Sequence, residues 1–154
     1  MTIDLDRVRD QAPVGADNVT VTQLGGRIGA RVDGVTLGPD LGEATLATIR
    51  AALLRHKVVF FRGQNHLDDD LHVAFAEQMG ALTAAHPTVN TGSARVLSLS
   101  ANKGMAANSW HTDVTFVDRV PAVSILRGVT IGRRQERVHL RLLQIGGEEA
   151  AHGP

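Results

Sequence analysis

A histidine and a carboxylate stand two positions apart in Trp110-His111-Thr112-Asp113-Val114-Thr115-Phe116, a run rich in β-forming residues. Side chains at i and i+2 of a strand share a face. His111 and Asp113 are therefore expected to aim an imidazole nitrogen and a carboxylate oxygen at one point above the backbone. Those are two of the three donors of a 2-His-1-carboxylate triad, which holds non-haem Fe(II) and leaves coordination positions open for cosubstrate and oxygen. Trp110 would supply an apolar wall, and Val114 and Phe116 would carry the strand onward. A solitary His-x-Asp is more often just a polar strand edge, because a metal site also needs a third donor and a supporting shell. The flanking residues here favour the metal reading.

The elements that must position this segment are legible in the hydrophobic pattern. Residues 1–18 are polar, broken by Pro13 and Gly15, and read as a loose leader. Val19 to Leu24 alternates as a strand does, Gly25-Gly26 turns the chain, and Ile28 to Val32 reads as the partner strand, closed by Asp33-Gly34. Pro39-Asp40 opens a first helix in which Leu46, Ile49 and Leu53 form one apolar stripe, ending near His56. Lys57 to Arg62 then reads as a buried strand stopped by Gly63. A second helix carries Leu71, Phe75 and Met79 on one face. It has Asp68, Asp69 and Asp70 at its positive N-terminal end and Gly80 as its stop. Val96 to Ser100 and Ala122 to Val129 read as further strands, and Asn102 to Ser109 as a polar loop leading into the His-x-Asp segment. Several strands with two early helices predict an α+β or mainly β domain, not a βαβ array.

Composition narrows the function classes. The chain has 154 residues, 43% of them apolar, enough for one domain with a core. Sixteen basic residues balance sixteen acidic ones, which removes the general electrostatic case for nucleic acid or an anionic membrane as partner. Sparse aromatics leave no stacking platform for bases. Without cysteine there is no disulfide frame, no zinc knuckle and no thiol nucleophile. Met1 to Asp10 alternates acidic and basic residues and has no apolar signal-peptide core. The longest apolar run, Val58 to Phe61, is far too short to span a bilayer. A cytoplasmic protein is the expectation.

The His-x-Asp segment, together with Pro121-Ala122-Val123-Ser124-Ile125-Leu126-Arg127 downstream, resembles the Fe(II)/2-oxoglutarate-dependent dioxygenases of the taurine dioxygenase (TauD/TfdA) family. Upstream, Leu24-Gly25-Gly26-Arg27-Ile28-Gly29-Ala30, Asp33-Gly34-Val35, Ile49 to Leu54, His56 to Gln64 and Leu82 to Pro87 agree in the same order. The alkylsulfatase members, which release sulfate from alkyl sulfate esters, are nearest in flavour, and the likeness covers roughly residues 19–131. The resemblance implies a double-stranded β-helix (jelly roll), here partial and preceded by two helices in its N-terminal half. It also implies Fe(II) as metal, 2-oxoglutarate as cosubstrate and O2 as oxidant. By resemblance His111 and Asp113 are iron ligands, His86 meets the sulfate or sulfonate of the substrate, and Asn108 with Ser109 borders its pocket. Ala107 stands where taurine-specific members carry asparagine, which turns the expectation from taurine toward an alkyl sulfate or another small anionic sulfonate. The implied reaction decarboxylates 2-oxoglutarate to succinate and CO2 while hydroxylating a substrate C–H. The unstable product then expels sulfate or sulfite and leaves an aldehyde. Homo-oligomers are compatible with this reading.

Residues 132–154 differ in kind. Four of the sixteen basic residues (Arg133, Arg134, Arg137 and Arg141) fall within nine positions. The family's Gly-Gly-x-Thr segment, its second ligand histidine and the arginine that pairs the 2-oxoglutarate 5-carboxylate find no counterpart in this sequence. His139 and His152 are the only histidines after the His-x-Asp segment, and neither has the family's context. His139 with Arg141 two positions on makes at best an improvised ligand-plus-cation pair. The stretch reads as a divergent tail, frameshifted or disordered, or as a short helix with Val138, Leu142 and Ile145 inward. The alternative to an enzyme is thus an inactive remnant or interaction module lacking the distal His and Arg.

Overall fold

The computed structural model describes residues 18–83, 95–100, 111, 114–118, 120–131 and 138–146. The chain divides into two compact units, residues 1–66 and 67–154.

In the first unit, strand β1 (Thr20–Gln23) pairs antiparallel with β2 (Ala30–Asp33), Val21 opposite Val32. Helix α1 (Glu43–His56) then carries the chain back, so that β3 (Val59–Phe61) lies parallel to β2, with Ala30 opposite Val59. Parallel neighbours need such a long crossover, because no tight turn can join them. One β-helix-β unit is therefore present, within a chain whose pattern does not read as an array of them. Helix α1 turns Leu46, Thr48, Ile49, Ala52 and His56 inward and leaves Leu53 half-buried. The apolar stripe is thus centred about one residue away from the one predicted. Against it lie Ala30 and Val32 of β2, with Val35 and Leu37 just beyond. The Thr48 hydroxyl avoids an orphaned burial by donating to the Ala44 carbonyl at 2.9 Å. Lys57 ends the helix in a left-handed conformation (φ 65°), and its N–H donates to the Leu53 carbonyl.

Beyond β2 the chain leaves the ladder, and a side chain takes over the pairing. Gln64 accepts from the Leu37 N–H at 2.8 Å and donates to the carbonyls of Val35 (2.8 Å) and Arg62 (3.0 Å). His66 Nε2 donates to the Leu37 carbonyl at 2.7 Å, which fixes the Nε2–H tautomer.

In the second unit, helix α2 (Asp69–Met79) begins at Asp68, whose carboxylate accepts from the Leu71 N–H at 2.8 Å. This is the aspartate run at work, closing an open N–H at the positive end of the helix. Replacing Asp68 with alanine should lower the stability of this unit by about 1 kcal/mol, read as a shift of its urea midpoint. Helix α2 buries His72, Phe75 and Ala76, whereas Leu71 and Met79 of the predicted stripe are only half-buried.

Three strands complete the unit: β4 (Leu97–Ser100), β5 (Pro121–Ile131) and β6 (Val138–Gly146). They form an antiparallel sheet in the order β4-β6-β5. Strand β6 replaces the short helix expected of the tail. Its Leu142 and Ile145, three apart and so on opposite faces of a strand, are both buried. Burial on both faces erases the alternation that marks a strand and leaves spacings that imitate a helix. Strand β5 slips register against β6 between Pro121 and Val123 and between Gly128 and Thr130, each time spending an extra residue in a bulge. Helix α2 packs on β6, and Leu82 bridges to Ile145. The approach is close: a Cβ on Gly80 would stand 2.7 Å from Ile145 Cγ2.

Candidate functional site

Of the residues expected to bind iron, His111 is exposed and Asp113 lies outside the described residues. His86 and Asn108, expected at the substrate, also lie outside them, as do Trp110, Ala107, Ser109 and His152. The strand predicted through Val114 and Phe116 is not formed. Residues 114–118 make bends and turns, with Val114 buried in a left-handed conformation (φ 52°) and Phe116 67% exposed. A left-handed residue departs from extended backbone, which interrupts the alternation that the sequence implied. His111 thus precedes a turn. The next regular element is β5, entered at Pro121. His139 and Arg141 have backbones in β6, opposite Ser100 and Ser98 of β4. Among the described residues no three His, Asp or Glu side chains gather as a metal-binding group.

The chemistry of the donor pair suits Fe(II), since an imidazole and a carboxylate are the ligand types this ion takes in open facial sites. An exposed His111 leaves its imidazole reachable by an ion from solvent.

The second unit also contains a charged cluster that the sequence reading passed over. Arg127, on β5, has a side chain only 17% exposed. It donates through one terminal nitrogen to the Leu67 carbonyl at 2.8 Å and through the other to the Asp69 carboxylate, fastening β5 to the start of α2. Leu67, Asp68, Asp69, Asp70 and Arg127 line an open cleft of about 450 Å³. Beside them His72 is 1% exposed, and neither ring nitrogen has a hydrogen-bond partner. Burial first, and the Arg127 charge second, push its pKa down from the ordinary 6.5 to about 4. The Asp69 carboxylate and the nearby Ile125 backbone pull weakly the other way, although no well-formed bond to Ile125 results. The available signal was a lone charged residue in an otherwise uncharged strand, together with a histidine on the core side of an amphipathic helix.

The family model described as taurine catabolism dioxygenase TauD, TfdA family matches residues 20–134. The chain belongs to the TauD/TfdA family. The match spans both units, and positions 86, 108, 111 and 113 fall within it. An alpha-ketoglutarate-dependent sulfate ester dioxygenase of Pseudomonas putida is 54% identical over 111 residues, which are 71% of this chain and 36% of that protein. An alkylsulfatase of Acinetobacter baylyi is 50% identical over 111 residues, 71% of this chain and 35% of that protein. The chain therefore spans about a third of the length of these curated relatives. Among solved structures, a taurine dioxygenase from Burkholderia xenovorans aligns with a TM-score of 0.63 at 44% identity, over 75% of this chain and 42% of that one. AAD-2, crystallised with Mn(II) and N-oxalylglycine, aligns at 0.57 with 21% identity over 75% of this chain and 39% of that one, a likeness of fold alone. Among the described residues of this TauD/TfdA member, no helix is long and apolar enough to cross a membrane.

Proposed function

We propose that this chain carries the His-x-Asp part of an Fe(II)- and 2-oxoglutarate-dependent dioxygenase that acts in the cytoplasm on a small alkyl sulfate or sulfonate. The observation that carries the reading is the 54% identity to a sulfate ester dioxygenase, joined to a family match that runs through His111 and Asp113. In this reading the sheet units are part of a jelly roll, and His111 and Asp113 hold Fe(II). The ion, once bound, supplies the activation of O2 by which 2-oxoglutarate is decarboxylated and a substrate C–H hydroxylated. The role of the protein is placement. His111 would give a neutral nitrogen and Asp113 a negative oxygen, so together they would neutralise half of the divalent charge and leave room for a third protein donor and the cosubstrate. His86, as an N–H donor or imidazolium, suits an anionic sulfate oxygen, and Asn108 offers an amide at the pocket border. Hydroxylation of the carbon next to the sulfate oxygen, or to the sulfonate sulfur, gives an adduct that expels the sulfur oxyanion and leaves an aldehyde.

The test is an anaerobic titration of the purified chain with Fe(II) and 2-oxoglutarate, following the weak visible charge-transfer band of chelated cosubstrate. We expect a saturable band that disappears in His111→Ala and in Asp113→Ala, both still folded by circular dichroism. Because His111 is exposed, its removal leaves the core intact. A folded chain that gives no band would favour the competing reading, an inactive remnant or interaction module.

A further inference from the structure

We propose that His72, Asp69 and Arg127 form an acid-sensitive latch that fastens strand β5 to the first turn of helix α2. The fastening is the guanidinium of Arg127, which reaches from β5 to the Leu67 carbonyl and the Asp69 carboxylate. The sensor is His72, one turn along the same helix from Asp69, with both ring nitrogens unpartnered in a site 1% exposed.

The groups facing the ring fix the direction of the response. Asp69 comes from its own helix and Arg127 from β5. From β6, which packs against α2, the described buried side chains are the apolar Leu142 and Ile145. A proton on the ring would therefore place a second cation beside a largely buried guanidinium. One carboxylate would be left to serve both, and Asp69 is itself 44% exposed and partly screened by water. The neutral ring is favoured there, so between about pH 6.5 and pH 4 protonation is coupled to an opening that lets water or a new acceptor reach it. Arg127 Nε is buried and also without a partner, and the Ile125 backbone of β5, though near the ring, makes no well-formed bond to it.

The sign follows from linkage. With the folded pKa near 4 against an ordinary 6.5, the opened chain takes up a proton that the closed chain refuses. The latch is fully closed above pH 6.5 and weakens steadily as pH falls toward 4.

The test compares amide hydrogen exchange of β5 and the first turn of α2 at pH 8 and pH 5, corrected for intrinsic rates, in the full chain and in His72→Gln. Opening of these amides should rise roughly thirty-fold between the two pH values in the native chain and stay nearly flat in the variant. Histidine C2-hydrogen exchange on the native chain reads the His72 titration directly and decides the matter if His72→Gln fails to fold. A His72 that titrates near 6.5 in the folded chain, or a variant with undiminished acid sensitivity, overturns the proposal. Neither readout involves iron or 2-oxoglutarate, so the latch stands or falls apart from the proposed activity.

Discussion

Replacing Gly34 with alanine should lower the stability of the β1–β2–β3 unit by about 3 kcal/mol. Gly34 follows β2 with φ at +79°, where a side chain is strained, and a Cβ there would stand 2.0 Å from the Asn18 carbonyl oxygen. The obstacle is backbone, so no rotamer can relieve it. Asn18 must withdraw, and with it the start of β1, where Thr20 pairs with Asp33. Gly63 provides the control. Its φ is +72°, yet nothing lies within 4 Å of an added Cβ. Gly63→Ala should therefore cost only the conformational part, about 1 kcal/mol. Urea unfolding of both variants separates the two contributions, and equal losses would show that the close approach at Asn18 matters little.

Arg127→Met should cost the second unit about 2 kcal/mol at pH 8, through loss of the bonds to Leu67 and Asp69. Methionine retains most of the apolar stem, so the loss reports the guanidinium contacts more than packing. The figure is held low because Asp69 is partly exposed and recovers water when its partner leaves. The same change removes the cation that disfavours a charged His72, so the variant should lose less of its stability than the native chain between pH 7 and pH 5. Denaturant midpoints across that range test both statements. A variant that keeps full stability at pH 8, or the full acid response, contradicts the account.

The sequence carried most of the elements because their punctuation is local. Gly80 and the aspartates bracket α2 within two residues, and Pro39-Asp40 with His56 bracket α1 nearly as well. It misled where burial is decided by distant partners. The helical face of α2 was assigned to Leu71, Phe75 and Met79 on hydrophobicity, but the sheet it meets takes His72 and Ala76. A neutral imidazole is apolar enough to bury, and no window along the helix reveals that Arg127 will stand beside it. The tail read as divergent, or at most as a short helix, because β6 is a central strand whose Leu142 and Ile145 both find cover. At the candidate site, His-x-Asp marks candidate donors by type and spacing. The strand inferred around them assumed alternation would persist, whereas Val114 turns left-handed. The family likeness was legible because it rests on many short segments in fixed order, and residues 20–134 bear it out.

The order β4-β6-β5 also constrains when the second unit can form during synthesis. Strands β5 and β6 are joined by a short connection and can zip together as soon as both leave the ribosome. Strand β4 emerges earlier than either, yet among the described residues its ladder partner is β6 alone, Leu97 waiting for Leu142. Its edge therefore stays open through the translation of the intervening chain, and the entropy of closing that long loop falls on the last pairing to form. The expected order is therefore a β5–β6 hairpin first and a three-stranded sheet after it, which pulse-labelled hydrogen exchange would read as earlier protection of β5 than of β4.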